Sequence, residues 1–359
     1  MLLTLLAGAA LAAAPTLRPD TTVARDSTPA ARPARAAQPD TALRVTFGGF
    51  VDAYYAHDFR RPATLDRAYT TTAARHTEFN VNLAHLEANL AGARLRGRFA
   101  AQFGTSVQAN YAGEPRVGAL SGPEVSRYVQ EAFLGYRLGD GLWIDAGVFF
   151  APFGQENWIS RDNPVYTRSL IADNSPYYES GVRLSWQARP SLQLQAHVIN
   201  GWQNISETNS DKAVAFRADW SPTSRVTVIY DTFLGNEQPD SARSRLRQFH
   251  EVALKTSLTD RTTLWATFDY GTQPRARAGD GSASWRGFAV LARQQLTPRV
   301  ALGGRVEGYS DPEQTIVATG VAAGLRASGA SANVDVALHP KAVWRTEFRT
   351  LRGRDPVFP

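Results

Sequence analysis

The sequence contains no cysteine, and after residue 14 it has no run of 18 or more apolar residues. The first absence excludes a disulfide framework, thiolate chemistry and cysteine-based metal sites. The second excludes a protein that crosses a membrane by helices, because such a helix needs about 20 consecutive, mostly apolar residues. Stability must therefore come from burial or from a hydrogen-bonded sheet that closes on itself.

Several functional motifs are also missing. The formal net charge is +6, but single arginines spread along the chain supply the excess, and no basic cluster carries interleaved aromatic residues. Nucleic acid is therefore not an expected partner. The sequence has neither a G-x-S-x-G motif nor a glycine-rich phosphate loop, and its six histidines are scattered. We accordingly predict no cofactor and no metal site.

The N-terminal segment has the composition of an export signal. MLLTLLAGAALAAAP is an apolar run of small and aliphatic residues that ends in an A-x-A-like site, which predicts a signal peptide over residues 1–14. A buried alanine-rich helix is the alternative. Residues 15–42 are rich in Pro, Ala, Arg and Asp without periodicity, which indicates a flexible periplasmic linker.

From about residue 45 onward, apolar and polar residues alternate with period two, the pattern of strands with one apolar face. In LQLQAHVIN, for example, Leu192, Leu194, Ala196 and Val198 share one face. This pattern predicts fifteen strands: 45–57, 78–90, 93–106, 127–138, 141–150, 178–188, 191–200, 212–220, 224–234, 246–258, 261–271, 284–296, 299–309, 330–338 and 341–351.

The connections between these strands alternate between short and long. Such alternation indicates an up-and-down antiparallel meander with all long loops at one edge, as in barrels of the outer membrane. Residues 43–359 are therefore predicted to form an all-β transmembrane barrel of about sixteen strands, with outer-membrane lipid as partner. Because fifteen is odd, the last strand is expected to be missing at the C terminus, unless 310–329 adds a hairpin. A soluble secreted β-protein is the alternative.

Several stretches together resemble a known family. FGGFVDAYYAHDF, GVFFAPFGQENWISRDNPVYTRSL followed by YYESGVRLSW, LQLQAHVINGWQN and VWRTEFRT resemble the OmpL-like β-barrel porins of Gram-negative outer membranes, over about residues 45 to 351. The missing last strand departs from the family's pattern. The resemblance implies a pore-forming outer-membrane protein through which small hydrophilic solutes diffuse, and it is compatible with homo-oligomers.

Charged residues in the polar phase of the strands are expected to line the lumen and to filter solutes by charge. The predicted lumen-lining residues are Arg94, Arg96, Arg98, Asp145, Arg183, Arg217, Asp219, Glu251, Arg305, Glu307, Arg345 and Glu347. The two signs nearly cancel, so we expect a general or weakly anion-preferring pore. The alternative is that most of these charges only pair with one another across strands.

The segment 151–177 is too long for an ordinary hairpin connection, and its apolar and aromatic residues argue against disorder. We predict that it folds into the barrel as a constriction formed by Trp158, Arg161, Asp162, Tyr166 and Arg168. An outer lid, or a loop that only packs, are the alternatives.

Two further functions compete with a porin. Paired carboxylates at Glu156, Asp162, Asp173 and Glu179 could serve acid–base catalysis, but nearby arginines explain them more simply as ion pairs, so no catalytic residue is predicted. A surface receptor or adhesin that binds partners through its long loops is the alternative that stays open.

Overall fold

The computed structural model describes residues 2–13 by their backbone and residues 42–277 and 279–358 in full. The described residues form sixteen strands: β1 (Leu2–Ala13), β2 (Arg44–Asp58), β3 (Phe79–Ala91), β4 (Leu95–Phe103), β5 (Val129–Gly139), β6 (Leu142–Phe150), β7 (Tyr178–Arg189), β8 (Leu192–Ile199), β9 (Ala213–Thr223), β10 (Val226–Asn236), β11 (Leu246–Thr259), β12 (Thr262–Pro274), β13 (Ser282–Gln295), β14 (Val300–Asp311), β15 (Leu325–His339) and β16 (Ala342–Gly353).

Each strand pairs antiparallel with its neighbours in the sequence. Strand β1 pairs with both β2 and β16, so the sheet closes into a barrel. In this closed sheet every strand has two partners and no row of backbone N–H and C=O groups is left at an edge. Closure of this kind satisfies the backbone within lipid, where water is absent.

The barrel strands bury their charged face and expose their apolar face. In β11, the Glu251 side chain points inward and the residue is 2% exposed, whereas its neighbour Val252 is 52% exposed. A soluble β-protein would show the opposite preference. An apolar exterior around a polar interior is the arrangement of a barrel that sits in a membrane.

The fifteen strands predicted from alternation are all present, as β2 to β16, and they form the predicted up-and-down antiparallel barrel. Strand β14 ends at Asp311 and β15 begins at Leu325, so the described chain has no additional hairpin between them. The sixteenth strand was expected to be missing at the C terminus. In the structure Leu2–Ala13 supplies it from the N-terminal side, because this strand lies between β16 and β2.

Residues 2–13 belong to the segment predicted as a signal peptide. A peptide that is cleaved on export cannot supply a strand to the mature barrel, so residues 2–13 are either a signal peptide or strand β1, and the prediction of a signal peptide stays open. The mass of the mature protein distinguishes the two interpretations, because it shows whether residues 1–14 have been removed. The predicted linker lies outside the described residues except for Ala42.

Short helices occur in the long connections: α1 (Thr105–Tyr111), α2 (Pro123–Ser126) and α3 (Leu170–Asp173), together with a single 3₁₀ turn at Ser160–Asp162. Within the described residues, no helix has the length and apolar character that would let it cross a membrane.

Candidate functional site

The 151–177 loop connects β6 to β7 and packs inside the barrel. Its residues Phe153, Val165, Leu170 and Ile171 share one buried apolar cluster with inward side chains from β6, from β8 to β11 and from β13 to β16. Trp158 joins a second cluster with Leu83 of β3 and other buried aromatic residues. Because the loop contacts the wall on several sides, it crosses the barrel interior.

Small inward residues make room for the loop on β13 and β14. A Cβ atom at Gly303 would lie 2.5 Å from the carbonyl oxygen of Pro164, and one at Gly287 would lie 2.0 Å from the Ile171 side chain. Real Cβ contacts do not come this close, so a side chain at either position would collide with the docked loop. The two glycines therefore allow close approach of the loop to the wall.

Buried charges on β14 and β16 hold the centre of the loop. The Thr167 and Leu170 backbone N–H groups donate to Glu347 and Glu307, each at 2.6 Å, and Arg305 donates to the Thr167 carbonyl. Arg305 pairs with both carboxylates, and all three side chains are 0% exposed. Glu307 is also paired with Arg349 at 2.9 Å. Buried charges of this kind are stable only when paired and hydrogen-bonded, and here the loop backbone supplies part of the hydrogen bonding.

Asp52 of β2 holds the same loop from the neighbouring wall. The Ser160 hydroxyl donates to Asp52 at 2.8 Å and the Tyr166 hydroxyl at 2.9 Å, while Arg345 donates to the carbonyls of Ser160 and Asn163. Sequence analysis missed Asp52. Its signal was a carboxylate at a buried strand position, flanked two residues away on either side by Phe50 and Tyr54.

The first residues of the loop are held from the opposite wall. Arg217 of β9 donates to the carbonyls of Pro152 and Gly154 at 2.6 and 2.9 Å. Lys255 of β11 donates to the Gln155 carbonyl at 3.1 Å. The loop is thus fastened to β2, β14 and β16 on one side and to β9 and β11 on the other.

The five residues predicted to form the constriction fall into three groups. Trp158 and Tyr166 are buried and dock the loop, since Trp158 donates to Ser106 of α1 at 3.1 Å and Tyr166 donates to Asp52. Arg161 and Asp162 keep 27% and 39% of their side chains exposed. The Arg161 guanidinium lies 5.8 Å from the centre of the Phe50 ring on β2. Arg161 and Asp162 are therefore the charges that the loop presents to open space.

Arg168 does not face the channel as predicted from the sequence, because its side chain is buried. Its side chain is 1% exposed and pairs with Asp173 at 3.2 Å, and its guanidinium lies 3.3 Å from the centre of the Tyr177 ring. It also donates to Thr71, in the loop before β3, and to Asn110 of α1. A planar guanidinium can serve several acceptors and one ring face at once, so this arginine joins three of the long connections.

Replacing Arg168 by methionine is expected to lower the free energy of unfolding by on the order of 2 kcal/mol, because Asp173 would stay buried without its cation. The Thr71 hydroxyl, which donates to Asp173 at 2.6 Å, limits the loss. The temperature at which the folded protein changes its migration in a gel measures the effect. Arg116→Met, in an exposed pair with Glu124, is the control and should change little. Equal shifts for the two variants would contradict the role of Arg168.

The remaining predicted lumen charges lie on two different parts of the wall. Five of them are buried, namely Glu251, Arg305, Glu307, Arg345 and Glu347. On β4 to β9 the charges also form ion pairs. Arg96 and Arg183 bind Asp145 across strands, at 2.6 and 2.8 Å, and Arg217 binds Asp219 of its own strand at 3.0 Å. Ion pairing thus accounts for many of these charges without removing them all from solvent.

Arg98 and Arg94 have different surroundings. Arg98 of β4 pairs with Glu87 at 2.5 Å and Glu131 at 2.8 Å inside the barrel. Arg94 precedes the first residue of β4, is exposed, and donates to the Tyr136 hydroxyl at 3.4 Å. The strand predicted to begin at residue 93 begins at Leu95, so the inward position predicted for Arg94 is wrong.

Three of the four carboxylates considered for catalysis are separately engaged, and the fourth, Glu179, is fully buried. Glu156 accepts hydrogen bonds from the Ser169 hydroxyl and N–H, and burial raises the pKa of its carboxyl, an effect that Arg305 and Ser169 oppose. Asp173 is paired with Arg168, and Asp162 with Arg161. Over residues 42–277 and 279–358, no three His, Cys or carboxylate side chains are grouped so that they could hold a metal ion.

Comparison with solved structures returns porins and outer-membrane channels. An anion-selective porin from Comamonas acidovorans superposes with a TM-score of 0.54 at 8% identity, over 88% of this chain and 90% of that chain. The outer-membrane channel DcaP of Acinetobacter baumannii gives a TM-score of 0.49 at 12% identity, over 98% and 96%. At such identities the first likeness shows the fold alone.

Comparison with families identifies the chain more directly. No curated protein matches it. The family model described as "Putative beta-barrel porin-2, OmpL-like" matches residues 44–359, which is nearly the whole described barrel from β2 onward. The chain therefore belongs to the OmpL-like β-barrel porins, proteins of the bacterial outer membrane.

Proposed function

We propose that the chain forms a water-filled channel for passive diffusion of small hydrophilic solutes, narrowed by the 151–177 loop, and that it conducts anions in preference to cations. The loop divides the interior unequally. It covers the charges of β14 and β16 completely, while several charges on other strands keep part of their surface exposed. The proposed path for solutes therefore runs along the wall that the loop leaves uncovered.

The sign of the exposed charges carries the preference for anions. Among strand residues paired inside the barrel, five arginines keep 14–31% of their side chains exposed: Arg96, Arg98, Arg183, Arg217 and Arg293. Only two of their carboxylate partners, Glu87 and Asp219, exceed 10%. Since the buried carboxylates contribute less to the field felt by a passing ion, the exposed wall is expected to attract anions.

The direct test is the reversal potential of the purified protein in a planar bilayer with a potassium chloride gradient. The proposal expects stepwise conductance and a reversal potential of the sign set by chloride. Absence of conductance steps would overturn the channel, and a potassium-like sign would overturn the anion preference while leaving the channel intact.

Arg161→Glu is expected to move the reversal potential toward cations, because Arg161 is the partly exposed cation of the loop and the variant would place two carboxylates side by side with Asp162. Arg116→Glu, which makes the same change of charge on another long loop, is the control. An unchanged reversal potential in Arg161→Glu would place this part of the loop outside the conduction path.

The alternative of a surface receptor or adhesin predicts a closed lumen and no conductance steps, so the same bilayer experiment separates it from the channel. Passive diffusion needs no catalytic residue, and the separate engagement of Glu156 and Asp173 supports that part of the proposal. Assembly into homo-oligomers stays a prediction, which the mass of the folded protein in detergent would test.

A further inference from the structure

A cavity of about 330 Å³ lies between the 151–177 loop and the inner faces of β7, β8, β9 and β11. The wall contributes polar side chains to it, namely Arg183, Gln195, Arg217, Asp219 and Lys255. The loop contributes the opposite side. The cavity therefore lies where the loop narrows the interior, next to the arginines that remain partly exposed.

The loop side of the cavity is largely apolar and aromatic. It includes Phe153, Trp158, Ile159, Pro176 and Tyr177, with Phe150 at the end of β6. The Trp158 ring lies 5.5 Å from the Tyr177 ring and 6.2 Å from the Phe150 ring, so these three form one packed aromatic surface. Such a surface favours a ligand with an apolar, flat body.

The cations of the wall are not equally available. Arg217 is paired with Asp219 and Arg183 with Asp145. The one loop carboxylate at the cavity, Glu156, is engaged by Ser169. Lys255 has no ion-pair partner within residues 42–277 and 279–358.

Lys255 has a hydrogen-bond acceptor and an aromatic ring beside it, but no carboxylate at ion-pairing distance, although Asp219, Glu156 and Glu251 lie close enough to act on its charge. Its ammonium donates to the Gln155 carbonyl at 3.1 Å and lies 4.2 Å from the centre of the Trp265 ring. An ammonium has three donors, and a half-buried one without a carboxylate gains most from an anionic partner. Lys255 is thus the group at which a carboxylate ligand would find an unpaired cation.

The size of the cavity limits the ligand. A cavity of about 150 Å³ is large enough to hold benzene. A volume about twice as large accepts one ring with a carboxylate and small substituents, but it is at the lower end of the range for drug-sized ligands. A lone inorganic anion would leave the aromatic side without contact.

We propose that this cavity is a binding subsite for small carboxylates that carry an apolar ring, with Lys255 pairing the carboxylate and the aromatic side of the loop contacting the ring. The inference rests on the proposed channel only in that solutes reach the cavity through it. Binding and conduction can be measured separately, so each can fail without the other.

Titration calorimetry on the folded protein in detergent tests the subsite with three probes: benzoate, acetate and benzyl alcohol. Benzoate is expected to bind at least about tenfold more tightly than either of the others, because only benzoate satisfies both the ammonium and the rings. Similar affinities of benzoate and acetate, or no binding of benzoate, would overturn the proposal. This comparison uses the unmodified chain and does not depend on any variant.

Lys255→Gln is expected to weaken benzoate binding about tenfold. Lys341→Gln, a change of the same type in the exposed turn before β16, is the control and should leave binding unaltered. Equal benzoate affinity in Lys255→Gln and the unmodified protein would overturn the role of Lys255. Should that variant fail to fold, Lys255→Arg, which keeps the charge, is expected to retain the preference for benzoate over acetate.

Conduction provides the separate readout. If the protein binds benzoate with the expected preference but gives no conductance steps, the channel is overturned and the subsite stands. If the channel conducts anions and benzoate neither binds nor reduces the current below the level seen with acetate, the subsite is overturned and the channel stands.

Discussion

Gly303→Val is expected to raise the single-channel conductance severalfold. A Cβ atom at this position would lie 2.5 Å from the carbonyl oxygen of Pro164, and this neighbour is backbone, so no rotation of a side chain can relieve the collision. The loop must then move away from β14, and the interior that it fills becomes available to ions. Conductance in a planar bilayer measures the change.

The adjacent residue supplies a matched control. Gly304 lies on the same strand but faces the opposite way, and the nearest atom to a Cβ built there is 3.6 Å distant. Gly304→Val adds the same side chain to the lipid side and is expected to leave conductance unchanged. If both variants conduct like the unmodified protein, the docked position of the loop does not limit the current.

Arg305→Met is expected to lower the free energy of unfolding by about 3–5 kcal/mol, the cost typical of removing one partner from a buried ion pair. Methionine has a similar length but cannot pair with Glu307 and Glu347, which are 0% exposed, or donate to Thr167. The midpoint of thermal unfolding, followed by gel migration of the folded form, is the measurement. Release of the loop should also raise conductance.

Arg225→Met is the control for this prediction. Arg225 is paired with Asp260 at 2.7 Å, but the two side chains are 52% and 90% exposed at the short-turn edge. Exposed pairs of this kind typically contribute less than about 1 kcal/mol. A thermal shift no larger in Arg305→Met than in Arg225→Met would show that the buried network does not hold the barrel and loop together.

The barrel could be predicted from the sequence because its signal is local and repeated. Alternation of apolar and polar residues placed all fifteen strands from β2 to β16, and the alternating lengths of the connections gave their order. The position of β1 could not be predicted this way. Leu2–Ala13 has no alternation of apolar and charged residues, and its composition matches an export signal equally well.

The site was less predictable because its contacts join residues far apart in the chain. Burial of aromatic residues in the 151–177 loop was expected from their type, and Trp158 and Tyr166 are indeed buried. The partner of Arg168 could not be read from charge alone, since exposed and buried arginines look the same in sequence. Its burial depends on Thr71 and Asn110, which come from two other loops.

The long reach of the loop contacts has a consequence for the order of folding. Thr167 is joined to Glu347 across 180 positions of the chain, Ser160 to Arg345 across 185, and Thr167 to Arg305 across 138. Contacts so distant in sequence form only after the intervening chain has been ordered. The loop is therefore expected to dock inside the barrel only after the final strands, β14 to β16, have paired. A half-assembled barrel is therefore expected to lack the docked loop, because Arg305, Arg345 and Glu347, which hold it, are among the last strand residues to be placed.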